Sequence, residues 1–453
     1  MIVKRRPLLI GVVVLLLGVG AACGAFVAWA QFDLAVGSFE RGDYDGAIAH
    51  LEKAIKEAPD SARVRILLGW SLYKRGEAAR AKAEFERALR MDPSDPNAFY
   101  AHEGLGWIAY GAGDHDRAMA AFGESLRLKP GYHNAHDGLG WSYLGKRDLV
   151  RAEANFKTAL AQVPDDHDAQ WGLAFVAYHR GDWAQAIERF RELVRRDDRD
   201  TLSRSGLGWS HYFKGDYPVA RQIFLDLARR EPTWADPLAG LAWIAERQGR
   251  PDEAKAGFRK AIEKSAAYVA TPDLRKLLAG RPEWVDLWRD LGWALYHQRA
   301  FLQSEAEFRA LLERHPNDPD GLRGLGYTLY ALKRYREAIA PLQRSLATRA
   351  DLPVVRERVE IPGVAGLHVI VSDTAATLAW THYHAGDLPD ALKHFREVTR
   401  RHPDWADSWS GLGWTLFKLG DRKESERAFR RSLEAQPNYP DALNGLQTLG
   451  RRS

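Results

Sequence analysis

The sequence predicts an all-α fold, an α-solenoid of helix-turn-helix units stacked along most of its 453 residues. Three observations predict it. A short phrase, most often Gly-Leu-Gly-Trp, returns ten times, and where copies abut their spacing is 34 residues. Small, aromatic and proline residues recur at matched offsets from each phrase. A glycine separates the two halves of most units. Self-similarity at a fixed period makes a fold a stack of like units.

The phrase reads Leu68-Gly69-Trp70, Gly104-Leu105-Gly106-Trp107, Gly138-Leu139-Gly140-Trp141, Gly172-Leu173-Ala174-Phe175, Gly206-Leu207-Gly208-Trp209 and Gly240-Leu241-Ala242-Trp243. It continues as Leu291-Gly292-Trp293, Gly324-Leu325-Gly326-Tyr327, Leu378-Ala379-Trp380 and Gly411-Leu412-Gly413-Trp414. Twelve residues after the small residue stands an alanine such as Ala81 or Ala118, sixteen after it a phenylalanine such as Phe85 or Phe122. Twenty-four after it a proline such as Pro93 or Pro130 closes the unit. Gly42, Gly76, Gly113, Gly181, Gly215, Gly249, Gly386 and Gly420 supply the turn. Each unit therefore reads helix, glycine turn, helix, proline stop.

This pattern resembles the tetratricopeptide repeat (TPR) family, in about eleven copies from residue 28 to 439, with Ala442 to Leu449 as a C-terminal capping helix. The resemblance implies antiparallel helix pairs stacked into a right-handed superhelix whose concave wall is made by the first helix of each pair. Nearest-neighbour stacking and terminal caps are its expected energetics. The family's best-known groove grips acidic C-terminal tails with Lys and Asn on first helices. Here Trp70, Trp107 and Trp141 fill the Asn slot, so that chemistry is not carried over. The expected layout is 1–30 basic tip and membrane anchor, 28–268 repeats one to seven, 269–284 helical insertion and 285–352 repeats eight and nine. It continues with 353–371 as a β-hairpin insertion, 372–439 as repeats ten and eleven and 440–453 as the cap.

Glycine two positions before the small residue lies outside the family's usual motif, and a mid-helix Gly costs about 1 kcal/mol relative to Ala. Gly104, Gly138, Gly172, Gly206, Gly240, Gly324, Gly411 and Gly445 all follow an abutting repeat whose phrase ends in an aromatic, whereas Leu67, Asp290 and Thr377 do not. The expectation is a ladder in which Trp70, Trp107, Trp141, Trp209, Trp243, Trp293, Trp380 and Trp414 lie in the notch left by the next repeat's glycine. Burial of about 150–250 Å² per ring offsets the glycine cost. A rival reading makes the aromatics a groove lining for sugars or apolar peptide side chains. Tyr73, Tyr110, Tyr178, Tyr212, Tyr296, Tyr330 and Tyr383, three residues after the aromatic, are the candidates for partner contact.

The N-terminus speaks to compartment. Lys4, Arg5 and Arg6 precede an uncharged run from Pro7 to Phe32, and Asp33, Glu40, Asp43 and Asp45 follow it. That run exceeds the ~20 residues that span a bilayer. The positive-inside rule leaves the N-terminus cytoplasmic and the repeats facing the periplasm or another extracytoplasmic space. The anchor has three possible fates: retention as a single-pass transmembrane helix, cleavage after Ala30, or lipid attachment at Cys23.

Composition excludes more than it identifies. Lys and Arg exceed Asp and Glu by five, three of them in the N-terminal tip, so the repeats are close to neutral. No basic block points to nucleic acid. His133 with His136, and His382 with His384, lack a third metal ligand at suggestive spacing and read as surface or groove residues. No nucleophile elbow or phosphate loop appears, so neither catalysis nor a cofactor is expected. In the insertions, Thr271-Pro272-Asp273 signals a short helix, and the runs Val354 to Ile361 and Leu367 to Val371 flank a hairpin signal. That hairpin serves either as a flap on the solenoid or as a docking element. The sequence thus points to a membrane-anchored, non-enzymatic scaffold for protein partners, with a glycan-export role as the alternative.

Overall fold

The computed structural model describes residues 26–348, 355–360 and 367–450. They fall into two compact units, Met1–Ile223 and Phe224–Ser453, each an array of helix pairs. The first unit holds α1 (26–40), α2 (Tyr44–Glu57), α3 (Ala62–Lys74), α4 (Ala78–Met91), α5 (Ala98–Gly111) and α6 (His115–Leu128). It continues through α7 (His133–Gly145), α8 (Leu149–Gln162), α9 (His167–Arg180), α10 (Trp183–Arg196) and α11 (Thr201–Lys214) to α12 (Tyr217–Arg230), within which the boundary falls.

The second unit contains α13 (Ala235–Arg247), α14 (Pro251–Val269), α15 (Pro272–Ala279), a 3₁₀ turn (Pro282–Trp284), α16 (Val285–His297), α17 (Phe301–Arg314), α18 (Pro319–Ala331) and α19 (Tyr335–Thr348). Strands β1 (Val355–Glu360) and β2 (Leu367–Ser372) pair antiparallel, Val355 opposite Ser372 and Glu360 opposite Leu367. Helices α20 (Thr374–Ala385), α21 (Leu388–Arg401), α22 (Ala406–Leu419), α23 (Arg422–Ala435) and α24 (Pro440–Gly450) complete it.

Local chemistry explains the helix ends. Seven residues after each small residue the chain turns with positive φ, at Gly181 (79°) and Gly215 (92°) among others, where a side chain would be strained. Three repeats lack the glycine and place Arg147 (63°), Arg299 (59°) and Lys333 (61°) there instead. The next residue is usually Asp, and it caps the second helix. The side chains of Asp43, Asp114, Asp148, Asp182 and Asp421 accept the N–H three residues on, at 2.9–3.1 Å. In the 269–284 stretch the Thr271 hydroxyl caps α15 through the Leu274 N–H at 3.2 Å.

Around Phe85, Phe122, Phe156, Phe308 and Phe429 the core of a repeat is one ring between two glycines, whereas Ala174, Ala242 and Ala379 stand at the first of these positions in the repeats of Phe190, Phe258 and Phe395. Phe85, Phe122, Phe156, Phe190, Phe224, Phe258, Phe308, Phe395 and Phe429 are fully buried, with Leu51 and Leu342 in the same slot of their repeats. A Cβ on Gly104 would lie 2.4 Å from the Phe85 ring, and one on Gly106 would lie 2.6 Å from Phe122. Two positions apart on a helix is about 200° around its axis. A first helix with both glycines therefore shows one to the preceding repeat's Phe and one to its own.

The glycine ladder is thus filled by phenylalanines from the second helices, which corrects the expectation that the tryptophans fill it. The exceptions fit the Phe assignment. Leu67 follows the repeat with Leu51, Thr377 follows the repeat with Leu342, and Asp290 follows Phe258 across the α15 insertion. After that insertion Trp284 lies against Phe258 instead, with ring centroids 6.3 Å apart. Trp70, Trp107, Trp141, Trp243, Trp293, Trp380 and Trp414 are half-buried and meet the Phe of their own repeat edge-on, at 5.0–5.6 Å. One residue beyond the small position turns the indole about 100° away from the notch. Full burial of each Phe contributes an upper-bound ~4–6 kcal/mol, against about 2 kcal/mol for two mid-helix glycines.

Two further expectations need restating. His382 is buried rather than on the surface or groove, and it stacks on His394 at 5.3 Å. Most of the apolar run 7–32, with Cys23, lies outside the described residues. Among the described residues no helix is long and apolar enough to cross a membrane.

A candidate binding groove on the first helices

The first unit carries a cavity of about 650 Å³ on the faces of its successive first helices. One end is apolar, with Phe32, Val36 and Phe39 of α1 facing Ile66, Leu67 and Trp70 of α3. Arg63, Tyr73 and Lys74 of α3 continue it, and Asn97, Tyr100, Glu103 and Trp107 carry it across α5. Tyr132, Asn134, Asp137 and Asp168 form the far end, on α7 and α9.

The turn Pro130-Gly131, with Gly131 at φ 76°, brings Tyr132 back over the start of α5. Its ring stands edge-on to Phe99 at 4.9 Å and to Tyr100 at 5.8 Å. The Lys129 ammonium lies over the same cluster, 4.4 Å from the Phe99 ring and 4.8 Å from Tyr132, in cation–π contact. The Trp70 indole donates to the Tyr100 carbonyl at 3.2 Å, tying α3 to α5 along the groove.

Two buried carboxyls stand in this cavity. Glu103 is 4% exposed and accepts the Tyr132 hydroxyl at 2.7 Å, while the Asn134 amide donates to that same hydroxyl at 2.8 Å. Burial pushes its pKa up, and hydrogen bonds from Tyr132, Trp107 and Asn134 together with the Lys74 charge pull it back. Asp137 is 2% exposed, and its Oδ1 has no hydrogen-bond partner. Its pKa is pushed up to about 9, first by burial, then by the negative charge of Asp166 and the hydrogen bond shared with it, with Asp168 and Glu103 adding to the shift. Every one of those influences favours the protonated acid.

The second unit shows what a satisfied acid looks like in such an array. Asp407, half-buried, accepts the Trp380 indole N–H at 2.7 Å and the Tyr439 hydroxyl at 3.0 Å. Here a phrase tryptophan does bind the next repeat, by hydrogen bond rather than by filling a notch.

Of the seven tyrosines named from the sequence, Tyr73 lines the cavity. Tyr110, Tyr178, Tyr296 and Tyr330 are half-buried elsewhere on their first helices. Tyr212 and Tyr383 are 6% and 9% exposed, which withdraws them as contact surfaces. Tyr212 is covered by Trp209 at 5.4 Å and Tyr217 at 5.8 Å, Tyr383 by the Lys418 ammonium at 3.9 Å. Of the eight tryptophans, Trp70 and Trp107 line the cavity. Sequence reasoning passed over Glu103 and Asp137, although each is a mid-helix acid directly before Gly-Leu-Gly-Trp. Among the described residues no group of three or more His, Cys, Asp and Glu side chains is placed to hold a metal ion.

Comparison with known proteins agrees with the helix-pair architecture. One tetratricopeptide repeat profile matches residues 38–103, and a second matches 138–201, 205–270, 289–353 and 377–444. A tetratricopeptide repeat protein from Parabacteroides merdae ATCC 43184 is 18% identical over 53% of this chain and 93% of that one, with a TM-score of 0.43. PilF of Pseudomonas aeruginosa is 19% identical over 50% of this chain and 98% of that one, with a TM-score of 0.41. PilW, a type IV pilus biogenesis factor, is 19% identical over 48% and 98%, with a TM-score of 0.41. No curated protein matches the chain. With repeat profiles covering more than half of its length and Phe-between-glycine packing repeated along both units, the chain belongs to the tetratricopeptide repeat family.

Proposed function

We propose that this protein is a non-enzymatic scaffold that holds an extended polypeptide segment in the first-helix groove of its N-terminal unit. The cavity itself carries the reading. About 650 Å³ of space crosses the first helices of successive repeats, walled by the rings of Trp70, Tyr100 and Trp107 and lined by polar groups such as Asn97, Asn134 and Asp137. An extended chain lays alternate side chains into such a groove, and modest contacts from each repeat add up along it. In this reading Lys4 to Arg6 and the apolar run behind them anchor the scaffold in the cytoplasmic membrane, with the repeats on the outer side. Crosslinking in the native host, followed by purification of the full chain, tests it. Discrete polypeptide adducts support the scaffold, and their absence contradicts it. Protease added to intact spheroplasts tests the topology, since repeats on the outer side are digested and repeats in the cytoplasm survive.

One observation favours a second reading. The Trp70 and Trp107 rings share the cavity with the Asn97 and Asn134 amides, a combination that suits sugar rings and their hydroxyls. Binding on a glycan array without polypeptide adducts would select it.

A further inference from the structure

Building on the polypeptide reading, we infer that Asp137 and Glu103 form a recognition pocket for a positively charged side chain of the bound segment, an arginine or a lysine.

The argument starts from what is missing. Glu103 has its complement inside the fold, in the Tyr132 hydroxyl at 2.7 Å and the nearby Lys74 charge. Asp407 in the second unit has Trp380 and Tyr439. Asp137 is as deeply buried as Glu103 and lines the same cavity; it shares a hydrogen bond with the acid Asp166, and its Oδ1 is left without a partner. A buried polar atom left unpaired costs about 1–3 kcal/mol, so a fold that keeps one beside a cavity places it where a ligand can complete it.

The charge pattern says which ligand. The groups that face Asp137 are Asp166 and Asp168 at the start of α9 and Glu103 on α5. On its own helix His133 lies 4.0 Å from Asp166. Arg63 stands on α3 and the Lys74 charge acts on Glu103, so the uncompensated negative charge of the groove collects at Asp137, Asp166 and Asp168 on the α7 and α9 side. A guanidinium or ammonium is the complement of the negative end, and its aliphatic stem suits the Trp107 and Tyr132 rings. Lys129 already rests on the Tyr132 cluster from within the fold. In the empty groove Asp137 keeps its proton. The arriving cation supplies the charge that lets the carboxyl ionise, and the proton leaves to solvent.

An array of short capped peptides tests this, each sequence carrying Arg, Lys, citrulline or Glu at one central position. It is probed with the full chain and with its Asp137→Asn and Glu103→Gln variants. The inference expects Arg and Lys peptides to bind about tenfold more tightly than their citrulline counterparts, and expects Asp137→Asn to abolish most of that advantage. The melting temperature of the Asn variant is not lowered, which separates loss of recognition from loss of fold. Equal binding of Arg and citrulline peptides overturns the inference and leaves the polypeptide reading standing, as does a preference that survives in both variants. Failure to bind any peptide overturns the polypeptide reading and the inference together.

Discussion

Phe156 occupies the space that Gly172 leaves open: a Cβ on residue 172 would sit 2.3 Å from the ring. Glycine there reflects the ring's position and not any need of the helix. Gly172→Ala is therefore expected to destabilise by about 1–2 kcal/mol, although alanine is the better helix former by about 1 kcal/mol. Gly123, exposed inside α6 with nothing within 4 Å of its Cβ position, is the control, and Gly123→Ala is expected to stabilise by about 0.5–1 kcal/mol. Denaturant unfolding of the two variants reads opposite signs if the clamp is real.

The ring and the glycine are coupled. Phe156→Leu alone is expected to cost about 1–2 kcal/mol. Combined with Gly172→Ala it is expected to cost less than the two single changes added, because the smaller side chain vacates the space the new methyl needs. The array already contains this solution, with Leu51 before Leu67 and Leu342 before Thr377. Additive single-variant effects in a double-mutant cycle would remove the coupling.

The turns offer a stabilisation test. Arg299 and Lys333 are exposed and sit at φ 59° and 61°, where other repeats have glycine. The left-handed conformation costs a side-chain-bearing residue about 1–2 kcal/mol. Arg299→Gly and Lys333→Gly are each expected to stabilise by about 0.5–1 kcal/mol, the remainder offset by glycine's freedom in the unfolded chain. Thermal melting that falls in both variants would show that the side chains contribute something the turn does not reveal.

Asp137 gives a pH dependence of definite sign. Its pKa rises from the ordinary 3.8 to about 9 on folding, so the native state holds the proton more tightly than the unfolded chain. The resulting penalty is absent below the unfolded value and grows as pH rises through this window. Asp137→Asn removes it. The variant is expected to melt several degrees above the wild type near pH 8, with the gap closing toward pH 4. A gap that stays constant across the range would assign the effect to packing and not to ionisation.

The repeat architecture was legible because each of its parts is a local rule. Turn glycines, closing prolines and buried alanines and phenylalanines stand at fixed offsets, and a 34-residue period needs no tertiary knowledge to see. The partner of the extra glycine was legible too, but the wrong ring was paired with it. Gly104 follows both Trp70 and Phe85, and only the repeat that has Tyr327 but Leu342, followed by Thr377, separates the alternatives. Burial of Tyr212 and Tyr383 was not legible from their spacing. It depends on Tyr217 across a turn and on Lys418 from the following repeat. The groove acids fell between these cases. Glu103 and Asp137 stood in plain view before the repeated phrase, but what sets them apart is the Tyr132 hydroxyl on one and an Oδ1 left without a partner on the other.

The most direct test of the account is site-specific photocrosslinking from the groove in the native host. A photoreactive phenylalanine analogue replaces Tyr73 in one strain and Glu86, a partly exposed residue on α4 outside the cavity, in another. The account predicts discrete polypeptide adducts from position 73 that are absent from position 86. The same adducts from both positions, or none from position 73, would contradict a polypeptide-binding groove.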